Sequence, residues 1–316
     1  MRKYNIAIIG AGPVGSIMAA YLARNGEQVS LVDTKKDLIT AIQYNGITLN
    51  NKNDSFNAHV KNALQTTAGL SSLDIDLFFI SVKFNYMDAL LDEIKPIFKP
   101  GQKIIVVQNG IDNEELVAKR LNKTDVLRFV INYAGMYEKP GTVRMSFFNP
   151  PNYIGVIDPD NEEQAQHTAK MLSDAGLETI YTPEIKKFEW KKTILNASLM
   201  PVCATTGLTM KEAMNQEDTR WLCEQILRES IQVAAQLGFT YGENFFQNCV
   251  QYLSKAGHHK PSTSLDLEAG NPIEYIFQPI IDYGKKIGSP TPVLESLTRV
   301  MRILETRQTK KKFVMS

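Results

Sequence analysis

Lys192, Asn196 and Met200 recur every four residues in the stretch FEWKKTILNASLMP (188–201). A helix through it carries a cation, an amide and an apolar side chain up one face. A second group of residues suited to chemistry lies near the start, where Gly10, Ala11, Gly12, Pro13, Val14 and Gly15 spell GAGPVG. Gly10 permits a tight turn, Gly12 lets the backbone approach a pyrophosphate, and Gly15 allows close helix–strand packing. A helix starting there offers free N–H groups and the positive end of its dipole to phosphate. Asp33 closes the next apolar run. A carboxylate at that place accepts hydrogen bonds from the ribose hydroxyls of an adenosine and repels a 2′-phosphate, which favours NADH over NADPH. Lys35 and Lys36 follow, and read either as surface charge or as contacts for a 2′-phosphate.

These residues need a scaffold, and the first half of the chain alternates strand and helix patterns. YNIAIIG (4–10) is a short β-branched run closed by glycine. PVGSIMAAYLARNG (13–26) reads as a helix capped at Gly26, and QVSLVD (28–33) as the second strand. Further buried strands are expected at 75–82 and 103–108, each followed by a helical pattern, as in a parallel doubly wound sheet. DVLRFVINYAGMYEKPGTVRMSFF (125–148) reads as strands with a hairpin turn at 139–141. A helix at 161–176 and a strand at 178–182 complete this half. From 184 to 307 apolar residues recur at intervals of three and four, as in 220–238, so this half reads as helical. The expected class is α/β: an N-terminal Rossmann-type doubly wound parallel sheet (1–182) and a C-terminal all-helical domain (183–316). Ligand sites favour domain interfaces, so the helix carrying Lys192 is expected to face the cofactor's reactive end.

Bulk properties narrow the function classes. Hydrophobic residues form 43% of the 316 and charged residues 22%, with a formal net charge of +1, so a nucleic-acid partner is not expected. The run TKKKF (309–313) reads as a solvated basic tail. Cys203, Cys223 and Cys249 lack metal spacing and read as reduced thiols of a cytoplasmic protein. His258 and His259 read as loop residues and His59 and His167 are isolated, so neither a metal site nor a nucleophilic triad is expected. No apolar run approaches the roughly 18 residues of a membrane span, and MRKYNIAIIGAG reads as a strand rather than a secretion signal.

Taken in order, IIGAGPVG, ISVK (80–83), VQNG (107–110), WKKTILNASLMP (190–201), HKPSTSLDLEAGNPIE (259–274) and IGSPTPVLESL (287–297) resemble the ketopantoate reductase (2-dehydropantoate 2-reductase) family over nearly the whole chain. The resemblance implies an NAD(P)-dependent reductase of a 2-oxo acid. Lys192 matches the family's catalytic lysine. Hydride arriving at C2 leaves an alkoxide, and an ammonium polarises the carbonyl and then donates the proton. Asn196 matches the asparagine that orients substrate or the lysine. Asn109 matches the asparagine of the QNG turn, near the nicotinamide and the catalytic lysine. Lys83 matches a lysine close to the cofactor. Ser262 matches the serine that holds the substrate carboxylate. Glu274 matches the glutamate that contacts the substrate hydroxyl and the catalytic centre. The segment after Glu274 is shorter than the family spacing, which leaves a neighbour as an alternative match.

Two positions depart from the family pattern. Asp33 and Thr34 stand where a basic residue would bind the 2′-phosphate of NADP. Met200 stands where a second asparagine would contact polar groups of the substrate, and is either core filler or an apolar substrate wall. Three functions follow: reduction of ketopantoate to pantoate, an NADH-dependent D-2-hydroxyacid dehydrogenase acting on a branched or aromatic 2-oxo acid, and a non-catalytic nucleotide-binding redox sensor. The helical half could support a homodimer.

Overall fold

The computed structural model describes residues 3–52, 54–121 and 125–315, with side chains described as far as residue 308. The chain forms two compact units. One holds Met1–Gln108 and Asp112–Ile185, the other Asn109–Ile111 and Lys186–Ser316.

The first unit begins with β1 (Asn5–Ile9), α1 (Pro13–Arg24), β2 (Gln28–Val32), α2 (Lys36–Asn45), β3 (Ile47–Asn50), β4 (Phe56–Ala58) and β5 (Asn62–Leu64). It continues with β6 (Leu77–Ile80), α3 (Met87–Ile94), β7 (Lys103–Val106), α4 (Asn113–Leu121) and β8 (Val126–Val130). β9 (Tyr133–Lys139), β10 (Thr142–Phe148), β11 (Asn152–Val156), α5 (Glu162–Asp174) and β12 (Thr179–Tyr181) complete it. Among the described residues eight strands form one sheet in the order β12-β11-β8-β7-β6-β1-β2-β5. Every pair is parallel except β8–β11. Both faces are covered. β1 turns Ile6 and Ile8 into the core shared with α1 and α5, and Ala7 and Ile9 into the core shared with α3 and α4. A strand buried on both sides carries no polar alternation, which is why its sequence is continuously apolar.

From β1 the chain winds outward to β2 and later returns to β6 on the other side of β1. The carboxyl ends of β1 and β6 therefore form a topological switch point, where open α/β sheets bind ligands. A smaller sheet, in the order β4-β3-β10-β9, packs over α1. The β9–β10 hairpin expected around residues 139–141 is present, but it belongs to this second sheet.

The second unit opens with α6 (Ile185–Thr206), whose first residue closes the first unit. α7 (Met210–Asn215), α8 (Glu217–Gln236), α9 (Phe245–Ser254), α10 (Ser262–Ala269), α11 (Gln278–Ile287) and α12 (Pro292–Met315) follow. Its core gathers Trp190, Ile194, Ala197, Phe277 and Met301, with Trp190 stacked on Phe239 at 5.3 Å between ring centroids. Glu229 on α8 accepts from the amides of Val293 (2.8 Å) and Leu294 (3.1 Å) and so caps the first turn of α12. Cys203, Cys223 and Cys249 are buried free thiols, and burial pushes the first two up to about 12. The run 309–313 continues α12, and its side chains lie outside the described residues.

Candidate active site

In the first unit the glycine turn sits at the switch point. Gly10 has φ of +104°, and a Cβ there would stand 2.7 Å from the Ser81 carbonyl carbon and the Val82 amide nitrogen. Only glycine adopts this turn and lets the ends of β1 and β6 close up. Gly15 faces back onto the turn, where a Cβ would fall 2.1 Å from the Gly10 carbonyl oxygen. Gly12 differs from both. It is the N-cap of α1 with φ −60° and ψ 174°, it supplies no side-chain cap, and nothing lies within 4 Å of where its Cβ would be. Pro13 opens the helix and brings no N–H, so the uncapped first-turn amides beyond it are available to an anion.

Asp33 locks the turn to the end of β2. Its Oδ2 accepts from the Ala11 amide at 2.9 Å and its Oδ1 from the Lys35 amide at 3.0 Å. Each oxygen keeps a lone pair for a further donor such as a ribose hydroxyl. Tyr137, on β9, supports the turn from the smaller sheet. Its hydroxyl lies 2.5 Å from both the Ala11 carbonyl and the Ser16 hydroxyl. Burial, reinforced by the nearby Asp33 carboxylate, pushes Tyr137 up to about 12, so it remains a donor at neutral pH. Lys83 lies three residues beyond the end of β6 and is half-buried. Gly10 to Gly15, Asp33 and Lys83 are thus gathered around one end of the sheet. With an open glycine face, an uncapped helix start and an acid at the end of β2, the residues present fit a dinucleotide.

The second unit holds the other expected residues. Lys192 and Asn196 are half-buried, four residues apart on α6. Met200 is buried in the core of the unit with 7% exposure. Asn109 is half-buried and begins the tripeptide that belongs to this unit, followed by Gly110 at φ +117°. Ser262 is exposed at the first position of α10, after Pro261. Two residues on, the Ser264 hydroxyl is buried and makes no hydrogen bond among the described residues. Glu274 lies between α10 and α11, and α12 anchors the backbone around it. Glu305 accepts from the Ile273 amide at 2.8 Å and from the Tyr275 hydroxyl at 2.7 Å, with the Arg302 guanidinium 5.4 Å from the Tyr275 ring. Tyr137 and Glu305 escape a reading of the sequence because their partners lie far away along the chain. His259 is half-buried in a loop, where burial lowers its pKa and its carbonyl accepts from the Met210 amide.

A Rossmann-type unit with a dinucleotide-fitting turn, followed by a helical unit with a paired lysine and asparagine, defines a nicotinamide-dependent oxidoreductase. Comparison with known proteins makes the class specific. Residues 6–159 match the model of the ketopantoate reductase PanE/ApbA family and residues 184–305 match its C-terminal counterpart. The chain belongs to the ketopantoate reductase family. It is thereby an NAD(P)-dependent oxidoreductase acting on a small 2-oxo acid, which sets the non-catalytic sensor aside. The 2-dehydropantoate 2-reductase of Lactococcus lactis subsp. lactis is 26% identical over 307 residues, covering 95% of this chain and 97% of the relative. Among solved structures, D-mandelate dehydrogenase with NADH and anilino(oxo)acetate superposes with a TM-score of 0.86 at 22% identity, over 96% of this chain and 98% of that one. The 2-dehydropantoate 2-reductase of Methylococcus capsulatus gives 0.83 at 23% identity, over 96% and 98%. These two likenesses concern the fold. Among the described residues, no helix is long and apolar enough to cross a membrane.

Proposed function

We propose that the protein reduces 2-dehydropantoate (ketopantoate) to pantoate, with Lys192 as the general acid. The observation that carries this reading is the Lys192–Asn196 pair, half-buried on one helix inside the segment that matches the family's C-terminal model. When bound, NAD(P)H supplies a hydride to C2 of the 2-oxo acid. The Lys192 ammonium donates a hydrogen bond to the C2 carbonyl oxygen, polarising the bond, and gives up its proton as negative charge develops there. The amide of Asn196, one turn on, orients the lysine or the substrate. The Ser262 hydroxyl donates to the substrate carboxylate, Glu274 accepts from the substrate's terminal hydroxyl, and Asn109 and Lys83 serve the nicotinamide side. The glycine turn holds the pyrophosphate, and Asp33 takes the ribose hydroxyls of NADH.

A second reading keeps the chemistry and changes the substrate to a branched or aromatic 2-oxo acid reduced by NADH. Asp33 and Met200 favour it. An acid anchors the end of β2, and an apolar side chain fills the place of an amide that would otherwise reward a polar substrate. One experiment separates the readings. Purified protein is assayed with NADH and NADPH in parallel against ketopantoate and a panel of branched and aromatic 2-oxo acids, with Lys192→Ala alongside. The proposal requires ketopantoate to be the best substrate and Lys192→Ala to lower kcat by about 10²–10⁴-fold. Preference for an apolar 2-oxo acid moves the assignment to the second reading. Undiminished turnover by Lys192→Ala removes the lysine from the mechanism.

A further inference from the structure

The smaller sheet reaches the glycine turn through one side chain. Tyr133, Gly135 and Tyr137 alternate along β9 and share one face of the strand, and that face lies on the start of α1. A Cβ at Gly135 would fall 2.6 Å from Ile17 Cδ1, so the strand comes closer to the helix than a side chain would allow. Two residues on, the Tyr137 hydroxyl lies 2.5 Å from the Ala11 carbonyl oxygen and 2.5 Å from the Ser16 hydroxyl. The Ser16 hydroxyl reaches the same carbonyl at 3.1 Å. Tyr133, at the other end of this face, points its hydroxyl at the Val14 carbonyl from 3.4 Å, which is long for a hydrogen bond. The carbonyl that Tyr137 and Ser16 hold belongs to the peptide that also carries the Gly12 N–H. A trans peptide is planar, so its C=O and N–H point in opposite directions, and fixing one aims the other. The preceding peptide is fixed as well, by the Ala11 amide donating to Asp33 at 2.9 Å. Gly10 donates to the Val32 carbonyl, so Gly12 is the first residue of the turn whose N–H finds no acceptor among the described residues.

We propose that Tyr137 is a positioning residue for the nicotinamide cofactor, its hydroxyl together with that of Ser16 holding the Ala11 carbonyl so that the Gly12 N–H is preset for the pyrophosphate. The inference rests on the placement of the pyrophosphate at the glycine turn. Two effects act together. The held carbonyl keeps the peptide from turning its oxygen toward the phosphates, where negative charge would meet negative charge. Hydrogen bonds accepted by a peptide carbonyl also polarise the N–H of the same peptide and make it a stronger donor. Tyr137 acts through this peptide rather than by contact with the cofactor, and it ties the smaller sheet to cofactor binding.

The test uses the full-length protein carrying Tyr137→Phe, which keeps the ring and removes the hydroxyl. Tyr133→Phe is the control, since it removes a hydroxyl from the same strand without touching the Ala11 carbonyl. Each protein is titrated with ADP-ribose, which carries the pyrophosphate, and with adenosine, which does not. Tyr137→Phe is expected to weaken ADP-ribose about three- to tenfold, the worth of one neutral hydrogen bond, and to leave adenosine within about twofold. Tyr133→Phe is expected to hold both ligands within about twofold of the parent, because the bond it loses is long. An unchanged affinity for ADP-ribose in Tyr137→Phe overturns the proposal. So does an equal loss for adenosine, or an equal loss of ADP-ribose affinity in Tyr133→Phe, either of which would mark a general loosening of β9 against α1. If Tyr137→Phe does not fold, Ser16→Ala decides alone. It takes one of the two donors from the same carbonyl, and must weaken ADP-ribose more than adenosine. Gly12→Ala, titrated alongside, tells the two readings apart. If it binds ADP-ribose as tightly as the parent, the placement of the pyrophosphate fails and the proposal with it. If it weakens ADP-ribose and Tyr137→Phe does not, the proposal fails alone.

Discussion

Replacing Gly12 with alanine separates a glycine kept for a ligand from one kept for the fold. Gly12 has extended backbone angles that alanine adopts without strain, and its Cβ would meet no atom within 4 Å. Two small terms act on stability. Alanine narrows the unfolded ensemble, a gain of about 0.4–1 kcal/mol. Alanine is also a poorer N-cap than glycine, a loss of about 0.5–1.5 kcal/mol. The sum lies within about 1 kcal/mol of zero, which for a chain of this size moves Tm by less than about 4 °C. Binding responds differently, because the new methyl group stands on the open side of the turn where a pyrophosphate must approach the backbone. A loss of at least about 1.4 kcal/mol, or tenfold in Kd for NADH, is expected. Calorimetric unfolding without ligand and a fluorescence titration with NADH read the two quantities separately. Gly15→Ala is the contrasting control. Its Cβ would fall 2.1 Å from the Gly10 carbonyl oxygen, so it should lose about 1–3 kcal/mol or more of stability. A Gly12→Ala protein that folds normally and binds NADH as tightly as the parent would refute the placement of the pyrophosphate on this turn.

Three further outcomes follow from contacts described above. Asp33→Asn keeps an oxygen for one backbone amide but removes the charge, and should raise the ratio of kcat/KM for NADPH over NADH at least tenfold; an unmoved ratio would place discrimination elsewhere, Lys35 and Lys36 first. Glu305→Ala strands the Ile273 amide and the Tyr275 hydroxyl, at about 1–3 kcal/mol, and should raise substrate KM and speed amide exchange around Glu274. Glu305→Gln can still accept from Ile273 and donate to Tyr275, and should behave much like the parent. Tyr137 titrates near 12 when folded and near 10 when unfolded. Its contribution to stability is complete below pH 10 and is lost as pH rises toward 12, because the unfolded chain releases its proton first. Tyr137→Phe should therefore lose less stability than the parent between pH 10 and 12, and equal slopes in urea titrations across that range would count against the assigned burial.

The strands that enclose the glycine turn are legible in the residues because β6, and β1 and β7 after their first residue, are buried on both faces and continuously apolar. The helices of the second unit are legible for the complementary reason, a stripe recurring over several turns. The smaller sheet is not. β3 and β4 span four and three residues, too few for a period to declare itself, and β3 pairs with β10 through contacts such as Thr48 with Thr142. β11 is hidden by Gly155, which breaks the strand pattern. The structure shows why glycine is there: a Cβ would stand 2.4 Å from Ile185 Cβ and 2.6 Å from the Thr182 carbonyl oxygen. At the candidate site the spacing of Lys192 and Asn196 is visible along the chain. The hold of Tyr137 on the Ala11 carbonyl and that of Glu305 on the Glu274 segment depend on tertiary packing, and residue types alone do not disclose them.

The short visit of Asn109–Ile111 to the helical unit bears on how the chain comes to be folded. Ile111 is 3% exposed within a core otherwise drawn from residues 190–301. During synthesis at about 5–20 residues per second, that isoleucine emerges and then waits for seconds before its neighbours exist. The sheet unit can fold without it, but the helical unit cannot finish until a residue made long before is delivered to it. Severed at residue 183, the C-terminal piece would lack a buried isoleucine, a deficit on the scale of a large-to-small core substitution, about 2–5 kcal/mol. The second unit inherits part of its interior from the first half of the gene product, and dissecting the chain at its apparent joint should yield one fragment that folds and one that falters.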